Sequence, residues 1–189
     1  MKEKLILIGA STGGPGHLKK ILLNLPKSFD IPIIIAQHMN SVFIKSFVKQ
    51  FNDELSFNFL LADSRHDIKR STVHICETHC ELCKQGFDLK LESASGVISH
   101  YNPSVDHLFY SAVKLVKSHD ILAILLTGIG QDGAEGLSAL QNTGATCIAE
   151  SEQSAIVFGM PKRAAELNAN IKVMHLDSII DYTKKFGSV

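Results

Sequence analysis

The strongest constraint on the fold is a set of short, uninterrupted apolar runs, each followed by turn residues. These runs cover residues 5–8, 31–36, 121–126 and 145–149. Continuous Ile, Leu and Val runs of this length are typical of strands that are covered on both faces. Because helical patterns alternate with them, the sequence predicts an α/β fold with a doubly wound, mostly parallel sheet and helices on both faces.

Amphipathic helical spacing recurs in three segments of the chain. Apolar residues fall at i, i+3, i+4 and i+7, which places one apolar face against a sheet. Pro26 ends the first helix, and Ser104 is the expected N-cap of the third. The apolar faces are Leu18, Ile21, Leu22 and Leu25; Ile44, Phe47, Val48 and Phe51; and Val105, Leu108, Phe109, Ala112, Val113 and Val116.

The segment at about 57–97 has a different pattern, because its apolar stretches are short and alternate with polar residues. Val73 and Ile75, for example, are flanked by His74 and Cys76. Alternation of this kind is typical of strands with one covered face. We therefore expect hairpin structure at about 57–97, beside the main sheet.

The C-terminal part of the chain returns to the α/β pattern. Pro161 is placed in the first turn of a helix over 161–167, and a short strand is expected at 171–174. A last helix is expected at about 178–186, with Asp177 as its N-cap.

Length and charge limit the classes of protein to which the chain can belong. A chain of 189 residues that is 45% hydrophobic predicts a single domain over 1–189. Its 19 basic and 19 acidic side chains give no net charge, so neither nucleic acid nor an anionic membrane is a favoured partner. No apolar run approaches the roughly 20 residues of a membrane span, so we expect a cytoplasmic protein without membrane insertion.

Three polar side chains follow predicted strands at the positions where ligands collect in α/β proteins. Ser11 follows the first strand, His38 follows the second, and Asp132 lies in the turn after the strand at 121–126. A serine hydroxyl needs a histidine to accept its proton, and a carboxylate to orient that histidine. The Gly9-x-Ser11-x-Gly13 turn also fits a pattern in which a nucleophilic serine projects from a tight bend.

Each of these residues also has a structural interpretation. Ser11 equally fits a glycine loop that cradles a phosphate, His38 fits the end of a strand, and Asp132 fits an N-cap of the helix that follows it. The order Ser, His, Asp differs from the Ser, Asp, His order of the α/β-hydrolases. A dinucleotide site is disfavoured, because position 11 is serine where the G-x-G-x-x-G motif requires glycine.

With these residues in place, the chain resembles the catalytic domain of CheB, the chemoreceptor protein-glutamate methylesterase of bacterial chemotaxis. The resemblance spans nearly the whole chain and rests on five blocks in the same order. They are IGASTGGP at 8–15, QHM at 37–39, PSVD at 103–106, LTGIGQDGA at 126–134 and VFGMP at 157–161.

The resemblance implies a Ser11, His38 and Asp132 catalytic triad that requires no cofactor. Backbone N–H groups near Thr12, His38 and Ile129 become candidates for an oxyanion hole. The implied substrate and partner is a methylated chemoreceptor, whose cytoplasmic glutamate methyl esters would be hydrolysed with release of methanol. Deamidation of receptor glutamines is implied as well.

Three features depart from the family pattern. Ser11 lies ten residues after Met1, so we expect a catalytic domain alone, without the usual receiver domain, that is constitutive or governed by another protein. Ile129 stands where the family often has methionine. In place of an Ala-Pro-Gly turn, the chain has a thiol and imidazole cluster, for which we expect reduced thiols and no metal, with a zinc site as the alternative: His74, Cys76, His79, Cys80 and Cys83.

Two other functions remain open at this point. A reshaped cleft would leave a receptor-binding module with low or lost turnover, although the presence of all three triad residues argues against it. A changed pocket would give a serine hydrolase of another ester. The sequence does not indicate an oligomeric state.

Overall fold

Seven parallel strands form the central sheet in a computed structural model that describes residues 2–86 and 88–188. In chain order the elements are β1 (Glu3–Ala10), α1 (Gly14–Asn24), β2 (Ile33–Gln37), α2 (Ser41–Glu54), β3 (Asn58–Ala62), β4 (His66–Asp67), β5 (Thr72–Cys76), β6 (Cys80–Gln85), β7 (Asp88–Ser93), α3 (Val105–Ala112), β8 (His119–Leu125), α4 (Ala134–Asn142), β9 (Thr146–Glu150), α5 (Met160–Leu167), β10 (Lys172–Met174) and α6 (Leu176–Gly187). The strand order in the central sheet is β10-β9-β8-β1-β2-β5-β3, and β4, β7 and β6 form a second, antiparallel sheet.

The two faces of the sheet carry separate hydrophobic cores. Leu5 and Leu7 of β1 pack on the side of α3, α4 and α5. Ile6 and Ile8, the alternate residues of the same strand, pack on the side of α1, α2 and α6. Because successive side chains of a strand point to opposite faces, an uninterrupted apolar run satisfies both cores. The predicted doubly wound α/β fold is confirmed.

The segment at about 57–97 divides between the two sheets, which corrects the expectation that all of it lies beside the main one. β3 and β5 are parallel strands of the main sheet. Val73 and Ile75 of β5 face one core, while Cys76 on the opposite face joins the other core. The second sheet covers that face, so the alternating sequence of β5 is buried on both sides. The predicted hairpin is β6 and β7, and Phe87 between them lies outside the described residues.

The helices agree with the predicted patterns except at two ends. Ser104 caps α3 as expected, but the α-helix ends at Ala112 and a short 3-10 turn follows. The last helix begins at Leu176 and is capped by His175 instead of Asp177. The reason is that the His175 imidazole accepts a hydrogen bond from the Asp177 backbone N–H at 3.3 Å. Over 2–86 and 88–188, no helix is long and apolar enough to cross a bilayer.

Gly9 sets how closely β1 approaches α3. A Cβ at position 9 would overlap Val105 Cγ1, whereas one at Gly16 in α1 would meet nothing within 4 Å. We therefore expect Gly9→Ala to lower the free energy of unfolding by about 1–3 kcal/mol through overpacking. Gly16→Ala is the control and should be neutral or stabilising by up to about 1 kcal/mol. Urea unfolding of both variants measures the difference, and equal stabilities would contradict this close packing.

Candidate active site

The carboxyl ends of β1, β2 and β8 bring three loops together at one edge of the sheet. β1 lies between the other two strands, so Ser11 follows the central one. The backbone N–H of Ser11 donates to the Thr127 carbonyl at 3.0 Å, and that of His38 donates to the Ala10 carbonyl at 2.9 Å. These backbone bonds join the loops that carry the serine, the histidine and the aspartate.

His38 and Asp132 are in direct contact. The imidazole Nε2 lies 2.7 Å from Asp132 Oδ2, and the two side chains are 12% and 2% exposed. An ionised carboxylate only accepts hydrogen bonds, so this contact assigns the neutral imidazole hydrogen to Nε2. The unprotonated Nδ1 is then the ring nitrogen available to accept a proton.

The Asp132 carboxylate also binds the start of α3. Its Oδ2 accepts a hydrogen bond from Val105 N–H at 2.7 Å, and its Oδ1 accepts from Asp106 N–H at 3.0 Å. The Ser104 hydroxyl donates to Oδ1 at 3.2 Å. Asp132 is therefore a capping residue, but of α3: the N-cap of the following helix α4 is Gly133.

Two opposing effects act on the pKa of Asp132. Burial is the largest and raises the pKa, because a carboxylate loses hydration inside the protein. Hydrogen bonds from His38, Asp106 and Val105 outweigh it, so the net pKa lies below the ordinary value of 3.8. Asp132 is thus negatively charged at neutral pH, as its contact with His38 requires.

Gln37 holds the loops of Ser11 and His38 together. Its side-chain amide donates to the Ser11 carbonyl at 2.9 Å and to the His38 carbonyl at 3.1 Å. Gly14 allows this approach, since a Cβ there would overlap the Gln37 side chain. Gly13 has a φ of +84°, a left-handed conformation that favours glycine and turns the chain into α1.

The three candidate oxyanion donors differ in whether their backbone N–H already donates a hydrogen bond within the protein. The N–H of His38 already donates to Ala10, so it is not available to a substrate. The N–H groups of Thr12 and Ile129 donate no hydrogen bond within the described part of the chain. Ile129 is 61% exposed, and Gly128 beside it packs so closely that a Cβ there would lie 2.8 Å from Ser11 Cβ. Thr12 and Ile129 thus remain candidates.

Two residues near the site were missed by sequence reasoning. The fully buried Glu150 accepts hydrogen bonds from Thr127 N–H and the Ser154 hydroxyl, both at 2.8 Å. Its only sequence signal is its position at the carboxyl end of an apolar run. Tyr101 stacks on His38, with 5.0 Å between ring centroids. It lies in an irregular loop, where no periodicity could have indicated it.

The thiol and imidazole side chains do not converge on one point, although those of Cys76 and Cys80 are neighbours. His79 accepts a hydrogen bond from Ser104 N–H at 3.0 Å, while Cys76 and Cys80 are buried in the core. His74 points to His66, with 3.0 Å between their ring nitrogens. Across the described residues, no three His, Cys, Asp or Glu side chains are grouped to hold a metal ion. The structure therefore gives the zinc alternative no support.

The fold and the site together define a class: a doubly wound α/β domain with a His–Asp pair beside a serine loop at the carboxyl edge of a parallel sheet. The family model of CheB methylesterase matches residues 6–183. The chain belongs to the CheB methylesterase family.

Individual relatives agree with this assignment. A protein-glutamate methylesterase/protein-glutamine glutaminase of Halalkalibacterium halodurans is 38% identical over 182 residues, which cover 95% of this chain and 52% of that protein. The protein-glutamate methylesterase/protein-glutamine glutaminase 2 of Carboxydothermus hydrogenoformans is 35% identical over 191 residues, which cover 95% of this chain and 52% of that protein. The chain thus spans about half the length of the curated relatives it matches.

A solved structure matches at full length. The crystal structure of the Thermotoga maritima CheB methylesterase catalytic domain superimposes with a TM-score of 0.89 at 32% identity. The match covers 98% of this chain and 99% of that one. The two chains are thus matched over nearly their whole lengths.

His74 makes the stability of the protein depend on pH. Burial is the main cause that lowers its pKa to about 4, and repulsion by His66 adds to it. Between that value and about 6.5 the unfolded chain binds a proton that the folded protein does not, so this contribution to stability is lost as pH falls through the window. The slope from one such group is at most about 1.4 kcal/mol per pH unit.

We expect His74→Gln to reduce this slope, even if the variant is less stable at every pH. Asp106, whose pKa burial raises to about 6, contributes a slope of opposite sign, so the measured quantity is the difference between variant and wild type. Urea unfolding at several pH values from 4 to 7 provides it. Parallel curves for the two proteins would show that His74 does not titrate as expected.

Asp132→Asn should destabilise the fold as well as the site. The asparagine amide presents N–H groups where Asp132 accepted hydrogen bonds at both oxygens, so a buried donor is left without an acceptor. We expect a loss of about 1–3 kcal/mol of unfolding free energy at pH 7. Since the folded pKa of Asp132 is depressed, this difference should shrink as pH falls below about 4, where the unfolded chain takes up a proton that the folded protein binds only at lower pH.

The matched control for this measurement is Ser11→Ala, which changes the site without removing a partner of α3. Its stability should equal that of wild type. If Asp132→Asn were as stable as wild type, the capping of α3 by Asp132 would not contribute to the free energy of unfolding.

Proposed function

We propose that this chain hydrolyses glutamate methyl esters on the cytoplasmic region of methylated chemoreceptors and releases methanol. The observation that carries this proposal is the partly buried His38–Asp132 contact at 2.7 Å, beside the loop of Ser11, in a chain of the CheB methylesterase family. The names of its relatives, protein-glutamate methylesterase/protein-glutamine glutaminase, support the choice of substrate.

In the first half of the proposed reaction, Ser11 becomes acylated. His38 Nδ1 accepts the proton of the Ser11 hydroxyl while the oxygen attacks the side-chain carbonyl of the esterified glutamate. The tetrahedral intermediate collapses when the C–O bond to the methoxy group breaks. His38 gives its proton to the leaving oxygen, so methanol departs and a glutamyl ester of Ser11 remains.

In the second half, water releases the product. His38 Nδ1 takes a proton from water, whose oxygen attacks the acyl carbon, and the Ser11 oxygen leaves with that proton. The receptor glutamate side chain, with its carboxyl group restored, and the original enzyme result. Each proton transfer uses a side chain of this chain, so the proposed reaction calls for no cofactor.

The negative charge of Asp132 assists both halves of the proposed reaction. Its carboxylate holds the hydrogen on Nε2, which keeps Nδ1 free to act as a base, and it stabilises the imidazolium that forms after proton transfer. The depressed pKa of Asp132 keeps this charge in place at neutral pH. We assign Asp132 the orienting role of a Ser–His–Asp triad.

The backbone N–H groups of Thr12 and Ile129 are the proposed oxyanion donors. Thr12 directly follows Ser11, whereas Ile129 lies in the loop between β8 and α4. Removal of one such donor typically costs about 3–4 kcal/mol of transition-state stabilisation. Isoleucine in place of the methionine common in the family leaves the backbone donor of position 129 unchanged.

The same groups can deamidate glutamine, because an amide differs from the ester only in its leaving group. His38 would protonate the departing nitrogen, ammonia would leave, and the same glutamyl ester of Ser11 would form. We therefore propose receptor glutamine deamidation as a second activity. Chemoreceptors as partners would place the chain in the cytoplasm.

Methanol release from membranes that contain methylated receptors tests the proposal, in the absence of any phosphodonor. We expect release by the wild-type chain and a loss of at least about 1000-fold in Ser11→Ala, because the nucleophile is removed. Ser46→Ala is the matched control, since Ser46 is an exposed serine on α2. It should retain wild-type activity.

Other outcomes would contradict the proposal in identifiable ways. Receptor binding without methanol release by folded wild-type protein would indicate a binding module. Hydrolysis of small esters through Ser11, without action on receptors, would indicate a hydrolase of another ester. Equal release by wild type and Ser11→Ala would remove Ser11 from the mechanism.

A further inference from the structure

The flat face of the His38 ring is covered by Tyr101. The two rings are stacked, with 5.0 Å between their centroids and 12° between their planes. Tyr101 lies in the irregular loop that joins β7 to α3, far in sequence from His38 in the loop after β2. This contact is separate from the His38–Asp132 hydrogen bond, which lies at the edge of the imidazole ring.

An imidazole needs more than one directional contact to have a fixed plane. The second side-chain torsion of histidine has broad minima, so the ring can rock about its Cβ–Cγ bond. The bond from Nε2 to Asp132 fixes one atom of the ring, whereas a stacked neighbour restricts the whole plane. The two contacts together determine where Nδ1 points.

Tyr101 is itself held in place. Its backbone N–H donates to the Ser99 hydroxyl at 3.0 Å. Its hydroxyl end packs against Gly130, where a Cβ would overlap it and where φ is +92°. Gly130 belongs to the same turn as Ile129 and Asp132. The tyrosine ring therefore lies between the catalytic imidazole and the turn that carries its carboxylate partner.

We propose that Tyr101 is a positioning residue for His38: its aromatic face holds the imidazole plane so that Nε2 stays on Asp132 and Nδ1 stays available to Ser11. The inference rests on the proposed function for its kinetic consequence. Its structural content, a fixed ring with a single tautomer, does not depend on which substrate is used.

Two substitutions at Tyr101 distinguish the contribution of the aromatic face from that of the hydroxyl. Tyr101→Phe keeps the stacked ring and should keep kcat within about 2-fold of wild type. Tyr101→Leu keeps an apolar side chain without a flat face and should lower kcat by roughly 10- to 100-fold, because a misplaced base reacts slowly. KM should stay unchanged, since the proposed role is orientation and not substrate binding.

A spectroscopic measurement tests the same proposal without substrate. Nitrogen-15 spectra of the His38 ring should show the Nε2–H tautomer in wild type and Tyr101→Phe, and a mixture of tautomers in Tyr101→Leu. The control is Tyr110→Leu, on the α3 surface, where the tyrosine is 47% exposed. It should leave kcat and the ring spectra unchanged. Tyr101→Met serves as a second non-aromatic variant if Tyr101→Leu does not fold.

Several results would overturn the inference. One is a folded non-aromatic variant with wild-type kcat and a single tautomer. Another is a change in KM alone, which would indicate substrate contact. A third is equal loss in Tyr101→Phe, which would assign the effect to the hydroxyl. If wild type released no methanol, the proposed function would fail, but an unchanged tautomer in Tyr101→Leu would still decide against Tyr101.

Discussion

The Asp132 carboxylate is the interaction on which the site and its surroundings depend. Four donors converge on its two oxygens: the His38 ring, the Ser104 hydroxyl and the N–H groups of Val105 and Asp106. A buried charge of this kind is stable only because all four donors are supplied by the protein. The group that orients the histidine is therefore also the group that fixes α3 against the sheet.

The parallel sheet explains how three distant loops reach this carboxylate. Strands β8, β1 and β2 are neighbours in that order, so the loops at their carboxyl ends are neighbours as well. Gln37 and Thr127 then fix the loops to one another. Gln37 donates to two carbonyls, and the Thr127 hydroxyl donates to the Thr12 carbonyl at 2.8 Å. Glu150 in turn binds the backbone of Thr127 from β9.

The sequence was sufficient for the fold class and for Ser11, His38 and Asp132 as candidates, because each follows a recognisable apolar strand. It was not sufficient where a residue acts across the fold. The sequence offers Asp132 as a cap of the helix that follows it, whereas the residue caps α3, whose start lies 26 to 28 residues earlier in the chain. The alternation in β5 indicated a half-exposed strand, because the second sheet that covers it has no local signal. Tyr101 has no local signal either, because its contact with His38 joins two loops that are distant in the sequence.

The double use of Asp132 has a consequence for how such a domain can change over evolutionary time. Ser11 is half-buried, and within the described residues its hydroxyl makes no hydrogen bond to another element, so a descendant can lose the proposed nucleophile and keep its shape. Loss of Asp132 would remove the hydrogen bonds that hold the start of α3, so the protein would be less stable and such a change would be selected against. We expect inactive descendants of this domain to retain the aspartate long after the serine is gone, so its presence alone is weak evidence of catalysis.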